Sequence, residues 1–529
     1  MWPQNYFPIA GSLPLSALVA GVPILVLLVL LGVMRKPAWM ASLVGLGAAA
    51  VVAIAVYGMP FGRAIAAISN GAVFGLFPIG WVVFTAILLY RITLESGKFD
   101  VLKDSIGHLT DDSRLQALLI AFAFGAFIEG AAGFGTPVAV ASAMLVGLGF
   151  DPFRAAAICL LANTAPVAFG SIAIPIQTLA GTTGIPFDRL STGVGRICAP
   201  VSLIIPAYLI VVMSGWKGLR KVLPSAAVCG IAFAGTQFVV SNYVNGLVTD
   251  ILSSLVAMGA LIVVIRLTGG QRPQPRHSAR EMMAAWAPYV LLVIFVLIWS
   301  YPPIQKRLDS FSVVVNWPGL HNTIQRMPPV VPKPAGYPAA YKFQWLAASG
   351  TACLFAAVFA SIVAGLSPRQ FGGVIAHTAK QLALAELTLA AVLGLAYLMN
   401  YSGATATLGL AFAATGQVFP FFSALLGWLG VFLTGSDTSA NALFGSLQVV
   451  TATKLGMNTA LMASSNSAGG VMGKMISLTS IAVAAAATSM KRQDEALLFR
   501  FTMKHSVLLA SVIGLIVMFY TYVMPAWAP

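Results

Sequence analysis

FIEGAAGFGTP, residues 127–137, sets one carboxylate and three glycines inside an apolar run, and Glu129 is the only charged side chain between Arg114 and Asp151. As a continuous helix, residues 115–150 would span about 54 Å at 1.5 Å per residue. The hydrocarbon core of a bilayer is only about 30 Å thick. The Gly-rich centre is where such a helix would break. Arg114 and Arg154 flank the run, and if both lie on one face the segment enters and leaves on that face, as a re-entrant helical hairpin.

The rest of the chain fits a membrane setting. Of its 529 residues 59% are apolar and 9% charged, against roughly 25% charged in soluble proteins. Apolar runs recur from residues 13–33 to residues 506–522, which predicts an all-α polytopic membrane protein embedded in the lipid bilayer, with no sizeable soluble domain. The leader MWPQNYF lacks Lys and Arg, so the first run reads as a crossing and not as a cleaved signal. The net charge of +15 would suggest nucleic acid in a soluble protein; here its placement follows the positive-inside rule instead. Cys159, Cys198, Cys229 and Cys353 stand singly in apolar segments, without the spacing of a metal site or disulfide framework. No metal or other cofactor is expected.

Placing the clusters at Arg35–Lys36, Arg91–Arg114, Lys217–Lys221, Arg266–Arg280 and Lys491–Lys504 on the cytoplasmic side, with Arg154, Arg369 and Lys380, leaves only eight of the 30 Lys and Arg outside and two in apolar segments. About twelve crossings follow, near 12–33, 39–58, 72–92, 153–180, 194–214, 222–242, 248–266, 284–300, 343–365, 378–398, 458–488 and 505–525, with both termini outside. The Pro-rich stretch 301–341 (YPPIQK, NWPG, RMPPVVPKPAGYP) falls outside as an exposed linker between halves 1–300 and 342–529, or as a lid over an entrance.

A second long run, residues 420–456, is interrupted by GSDTSAN at 435–441 and on the same charge count enters and returns from outside. Each hairpin precedes another interrupted segment: CLLANTAPVAFGS (159–171) in 153–180, and MASSNSAGGVMGKMIS (462–477) in 458–488. A hairpin with a Gly-rich break, then a crossing opened at an Asn-centred polar stretch, occurs twice in opposite orientation. This reads as an internal inverted repeat.

Irregular backbone at membrane depth is tolerated only where protein or a water-filled cavity supplies its partners. Two breaks per half therefore predict one shared polar cavity, whose half-helix N-termini suit a small carboxylate. Asn163, Thr164, Ser436, Thr438, Ser439, Asn441, Asn466 and Ser467 are candidate ligands of that carboxylate and of a hydroxyl, although each type also caps broken helices. Gly130, Gly133, Gly135 and Gly435 are expected at the hairpin tips. Ionisable residues inside a membrane are functional candidates. Of the three acids in apolar stretches, Glu129 and Asp437 lie at the hairpin breaks and are the leading proton carriers, since a carboxyl removed from water can exchange a proton near neutral pH. Glu386, on a segment with His377 and Lys380, reads as an ion-pair partner. Arg196 and Lys474 are the two embedded cations. Arg196 could clamp the substrate carboxylate, or either cation could neutralise Glu129 or Asp437.

FIEGAAGFGTPVAVASAMLVGLGF, ANTAPVAFGSIAIPI, NYSGATATLGLAFAATG, GWLGVFLTGSDTSANALFGSLQ and GGVMGKMIS together resemble the lactate permease family over nearly the whole chain. SSNSAGG at 464–470 and Leu478 in MISLTS depart from the family's usual pattern. The resemblance implies import of L-lactate, D-lactate and glycolate, small 2-hydroxy monocarboxylates, by proton symport across the inner membrane. It also implies kinship with ion transporters built on paired re-entrant hairpins. A sodium-coupled carrier of another small organic acid is the rival within transport. An intramembrane enzyme is disfavoured, because no GxGD aspartate, His-rich metal cluster or GxS nucleophile helix is present. Oligomeric state is not legible.

Overall fold

The computed structural model describes residues 1–107, 109–133, 135–267, 277–491 and 494–529. Phe134 of the first hairpin, and Arg272, Arg276 and Arg492 of the basic clusters, lie outside them. Eleven described helices are long and apolar enough to cross a bilayer, or twelve if the bent pair Pro152–Ala162 and Val167–Thr183, which meet at 66°, is one span.

Chain order begins with β1 (Trp2–Pro3), α1 (Leu13–Val33), α2 (Ala38–Val56), α3 (Phe61–Phe74), α4 (Trp81–Glu95) and α5 (Lys98–Gly107). The crossing expected at 72–92 starts earlier, at Phe61, and is interrupted at Phe77, whose φ of −143° is not helical. Pro78 removes an N–H donor there and disfavours helix in the residue before it. The first hairpin is α6 (Ser113–Ala131) and α7 (Thr136–Gly147), and the bent pair is α8 (Pro152–Ala162) and α9 (Gly170–Thr183). α10 (Phe187–Val239) covers two expected crossings, with non-helical residues at Gly215 and Val222 beside the Lys217–Lys221 cluster. α11 (Thr249–Leu267) and α12 (Ala279–Ser300) follow.

The stretch expected as an exposed linker, or as a lid, carries secondary structure. It contains α13 (Pro302–Asp309), β2 (Val313–Asn316), β3 (Ile324–Arg326), β4 (Ala335–Gly336) and β5 (Ala340–Phe343). β2 pairs antiparallel with β5, while β3 pairs with β4 and, in parallel, with the N-terminal β1. Leu320 and Ile324 are fully buried, and Trp317 Nε1 donates to Ser69 Oγ of α3 at 3.1 Å. Apolar and aromatic residues between the prolines supply this packing.

The last part contains α14 (Ser349–Val363), α15 (Pro368–Ser402), α16 (Ala404–Phe412), the second hairpin α17 (Phe419–Thr434) and α18 (Asp437–Leu455), then α19 (Thr459–Lys474), α20 (Leu478–Ala487) and α21 (Asp494–Tyr522). α16 belongs to no expected crossing. Its residues Ala404–Leu410 are all buried, because it packs between α1 and α18.

Helix packing forms two groups. α2, α3 and α15 pack together, as do α4, α12 and α14. The hairpins and broken helices pack among themselves: α17 on α19 and α21, α18 on α9 and α19, α6 on α11, and α20 on α7 and α8. Small residues permit the closest of these approaches, as usual between membrane helices. A Cβ on Gly427 would collide with the Asn466 carbonyl, and one on Gly469 with that of Ala424, so α17 and α19 meet backbone to backbone.

Candidate functional site

At the first break, α6 ends at Ala131, and Gly133 and Gly135 turn the chain with φ of 60° and 80°. These are left-handed values that favour glycine. Gly130 is not at the turn; it lies in the last turn of α6, where a Cβ would stand 2.8 Å from Asp250 Cβ on α11. Ser171 Oγ donates to the carbonyl of Ala132 at 2.8 Å, satisfying one acceptor freed by the break. Ser171, Ile172 and Ala173 adopt φ of 45°, 59° and 54°, at a cost of roughly 1–2 kcal/mol per residue. Three such residues in a row, one β-branched, mark the opening of α9 as a strained site held by its surroundings.

Glu129 is only 4% exposed. Its Oε2 accepts from Asn163 Nδ2 at 2.9 Å, which joins the hairpin break to the bend after α8. A Cβ on Gly170 would stand 2.6 Å from Glu129 Oε1, so the α9 backbone lies against the carboxyl. Thr164, expected as a ligand, caps its own turn by donating to the Leu161 carbonyl at 2.7 Å.

The second break repeats this chemistry with different parts. Gly435 has φ of 74°, and Lys474 Nζ donates to its carbonyl at 2.8 Å, as Ser171 does for Ala132. Ser436 is the N-cap of α18, its Oγ accepting from the Ser439 N–H at 3.2 Å. Asp437, 3% exposed, opens the first turn of α18. Its Oδ2 accepts from Ser467 Oγ at 2.5 Å and from Asn441 Nδ2 at 3.5 Å. Asn441 Nδ2 also donates to the Pro175 carbonyl in α9 at 3.1 Å, and Asn441 Oδ1 accepts from Asn466 Nδ2 at 2.9 Å. Gln448 Nε2 then donates to Asn466 Oδ1 at 3.0 Å, so Asn466 is enclosed in a network and not open to a ligand.

One cavity of about 260 Å³, cavity 1, is lined by Glu129, Ser436, Asp437, Thr438, Ser439 and Lys474, together with residues of α1, α2 and α15. It is near the small end of ligand pockets, roughly 300–1,000 Å³. Gly135 and Gly435 also line it, so both hairpin tips reach the same space. Lys474 lies within electrostatic range of both carboxyls. Cavity 1 extends to Leu31 and Ala38, at the end of the bundle remote from the strands. A second cavity, of about 690 Å³, lies at the strand face and is lined in part by Gln177, Leu247, Lys306 and Lys342.

Arg196 is not brought to cavity 1. Its Nε donates to Asn242 Oδ1 at 2.8 Å and its Nη1 to the Trp527 carbonyl at 2.5 Å, with its guanidinium 5.8 Å from the Trp527 ring. Glu386 does not pair with His377 or Lys380. His377 lies 3.8 Å from Glu95, and Glu386 leans on Gly80, where a Cβ would collide with its Oε2. Sequence reasoning also passed over Gly170 and Gly470, a Cβ on which would collide with Asp437 Oδ1. It passed over Asp250 as well, which stands at the start of an apolar run and reads there as a boundary residue.

The family profile described as L-lactate permease matches residues 16–524. The L-lactate permease of Bacillus subtilis is 44% identical, the alignment covering 97% of this chain and 97% of that protein. Glycolate permease GlcA of Escherichia coli is 43% identical over 99% and 98%. The L-lactate permease of Escherichia coli is 40% identical over the full length of both.

Proposed function

The chain belongs to the L-lactate permease family, and from that premise we propose that it is a proton-coupled importer of lactate and glycolate, a transporter and not an enzyme. The observation that carries the coupling is the shared cavity: two buried carboxyls, Glu129 and Asp437, face one lysine, Lys474. A substrate anion entering there would set three negative charges against one positive charge in a water-poor space. Each proton bound by a carboxyl removes one of them. Substrate and proton therefore bind with mutual benefit, which is linkage between two sites.

The substrate carboxylate is taken at the N-terminus of α18. Partial positive charge favours it there, and Ser436, Thr438 and Ser439 line the space. Lys474 uses one donor on Gly435 and keeps two for the ligand. Serine and threonine hydroxyls suit the 2-hydroxyl group. The paired hairpins, each followed by a broken helix, support the inverted repeat. The basic clusters support an orientation with the strand face and both termini outside, and cavity 1 toward the cytoplasm.

Counterflow of labelled L-lactate into proteoliposomes, competed by D-lactate, glycolate and pyruvate, tests the substrate class. Competition by lactate and glycolate is expected; counterflow insensitive to both would reject it.

A further inference from the structure

We propose that Asp250 is a proton relay between the second cavity, the outer one at the strand face, and Glu129, which lines the inner cavity 1, an inference that rests on the proton-symport reading and its orientation. Asp250 is 0% exposed, and neither carboxyl oxygen has a hydrogen-bond partner among the described residues. Burying a polar group without a partner is costly, so a structural role should be visible as a bond, and none is. Helix capping does not explain it either. Asp250 is in the first turn of α11 but makes no cap bond; Asn245 caps the 3-10 turn that precedes the helix, its Oδ1 accepting from the Leu247 N–H at 2.8 Å.

Position supplies the role. Asp250 sits where α11 touches the last turn of α6, against Gly130 and thus next in the chain to Glu129. Glycine at 130 is what allows this approach. Leu247, three residues before Asp250, lines the outer cavity, whereas Glu129 lines the inner one. Three helical residues span about 5 Å, so Asp250 stands about one turn from a residue of the outer cavity and against the chain neighbour of a residue of the inner one. The titratable groups that interact with it are Glu129 on α6 and Cys198 on α10, with Asp437 acting on Cys198 from α18. α9 contributes no titratable side chain, Tyr243 before α11 is 71% exposed, and no described ion pair includes Asp250.

Two carboxyls packed together away from water do not both carry charge, so a proton on one eases its transfer to the other. The forward cycle starts with the proton on Glu129 and the charge on Asp250: an O–H bond of hydronium in the outer cavity breaks as one forms on an Asp250 carboxylate oxygen, leaving water. The Glu129 O–H bond then breaks as the proton passes to water of the inner cavity. The Asp250 O–H bond finally breaks as one forms on the Glu129 carboxylate, which restores the starting state.

The test compares wild type, Asp250→Asn and Asp250→Glu in proteoliposomes, measuring lactate accumulation under an imposed pH gradient and lactate exchange at equal pH. Asp250→Asn should lower accumulation by about tenfold or more and exchange by less than about threefold, a split within the range of coupling factors. Asp250→Glu, which keeps the carboxyl, should hold the accumulation-to-exchange ratio within about threefold of wild type. Asp250→Asn that accumulates like wild type overturns the relay, and so does one that loses both activities in proportion. Should Asp250→Asn not assemble, Asp250→Glu decides alone, a ratio reduced tenfold or more overturning the relay. Wild type that ignores the proton gradient overturns the symport reading and the relay together; wild type that follows it while Asp250→Asn matches it overturns the relay only.

Discussion

Glu129 and Asp437 occupy matching breaks in the two hairpins, yet their surroundings differ in sign. Glu129 lies in the last turn of α6, where free carbonyls disfavour negative charge, and among the described residues it accepts one hydrogen bond, from Asn163. Asp437 lies in the first turn of α18, where free N–H groups favour it, and accepts from Ser467 and Asn441. The freed carbonyl at the first break is met by a neutral serine and at the second by a lysine. Similar chain architecture thus gives one end suited to a neutral acid and one suited to an anion. Under the proposed coupling, the first is the better proton carrier and the second the better organiser of the binding end.

Glu129→Gln breaks this comparison most sharply. Accumulation of lactate under a pH gradient should fall by roughly 100-fold, the upper range of coupling factors, with exchange less affected. Asp437→Asn should instead lower exchange and accumulation together by about tenfold, the effect of weakening bonds to a charged acceptor. Equal profiles for the two variants would erase the distinction, and flux measured in proteoliposomes decides.

The glycines against the two carboxyls sharpen it further. Gly470→Ala collides with both Asp437 and Val431, while Gly170→Ala presses only on the Glu129 side chain. Overpacking of this kind costs about 1–3 kcal/mol. Gly470→Ala should therefore lower the apparent Tm of the detergent-solubilised protein more than Gly170→Ala. Arg196→Ala should have the smallest effect on transport, a change in KM for lactate below about twofold, since it removes bonds to Asn242 and Trp527 outside the cavity, worth only ~1–3 kcal/mol to stability. A large rise in KM would return Arg196 to the binding end.

Much of the site was legible because its signals are local. The breaks expected within 115–150 and 420–456 fall between α6 and α7 and between α17 and α18, since a polar break in a long apolar run is itself the constraint. Glu129, Asp437 and Lys474 stand out as charges among apolar neighbours, and they line one cavity. What was not legible depends on distant chain. Arg196 looks embedded in STGVGRICAP, but its partners lie 46 and 331 residues away. The three-stranded sheet needs β1 from the N-terminus to pair with β3, and α16 is buried because α1, α18 and Tyr6 cover it. Asp250 reads as a boundary residue until Gly130 brings α6 against it.

Coupling between the anion and a proton at the Glu129 cavity has a direct test. Wild-type protein in sodium-free proteoliposomes, with an inward proton gradient imposed, should accumulate labelled L-lactate and lose that accumulation when the gradient is collapsed. Accumulation that requires sodium and is indifferent to the proton gradient would contradict it.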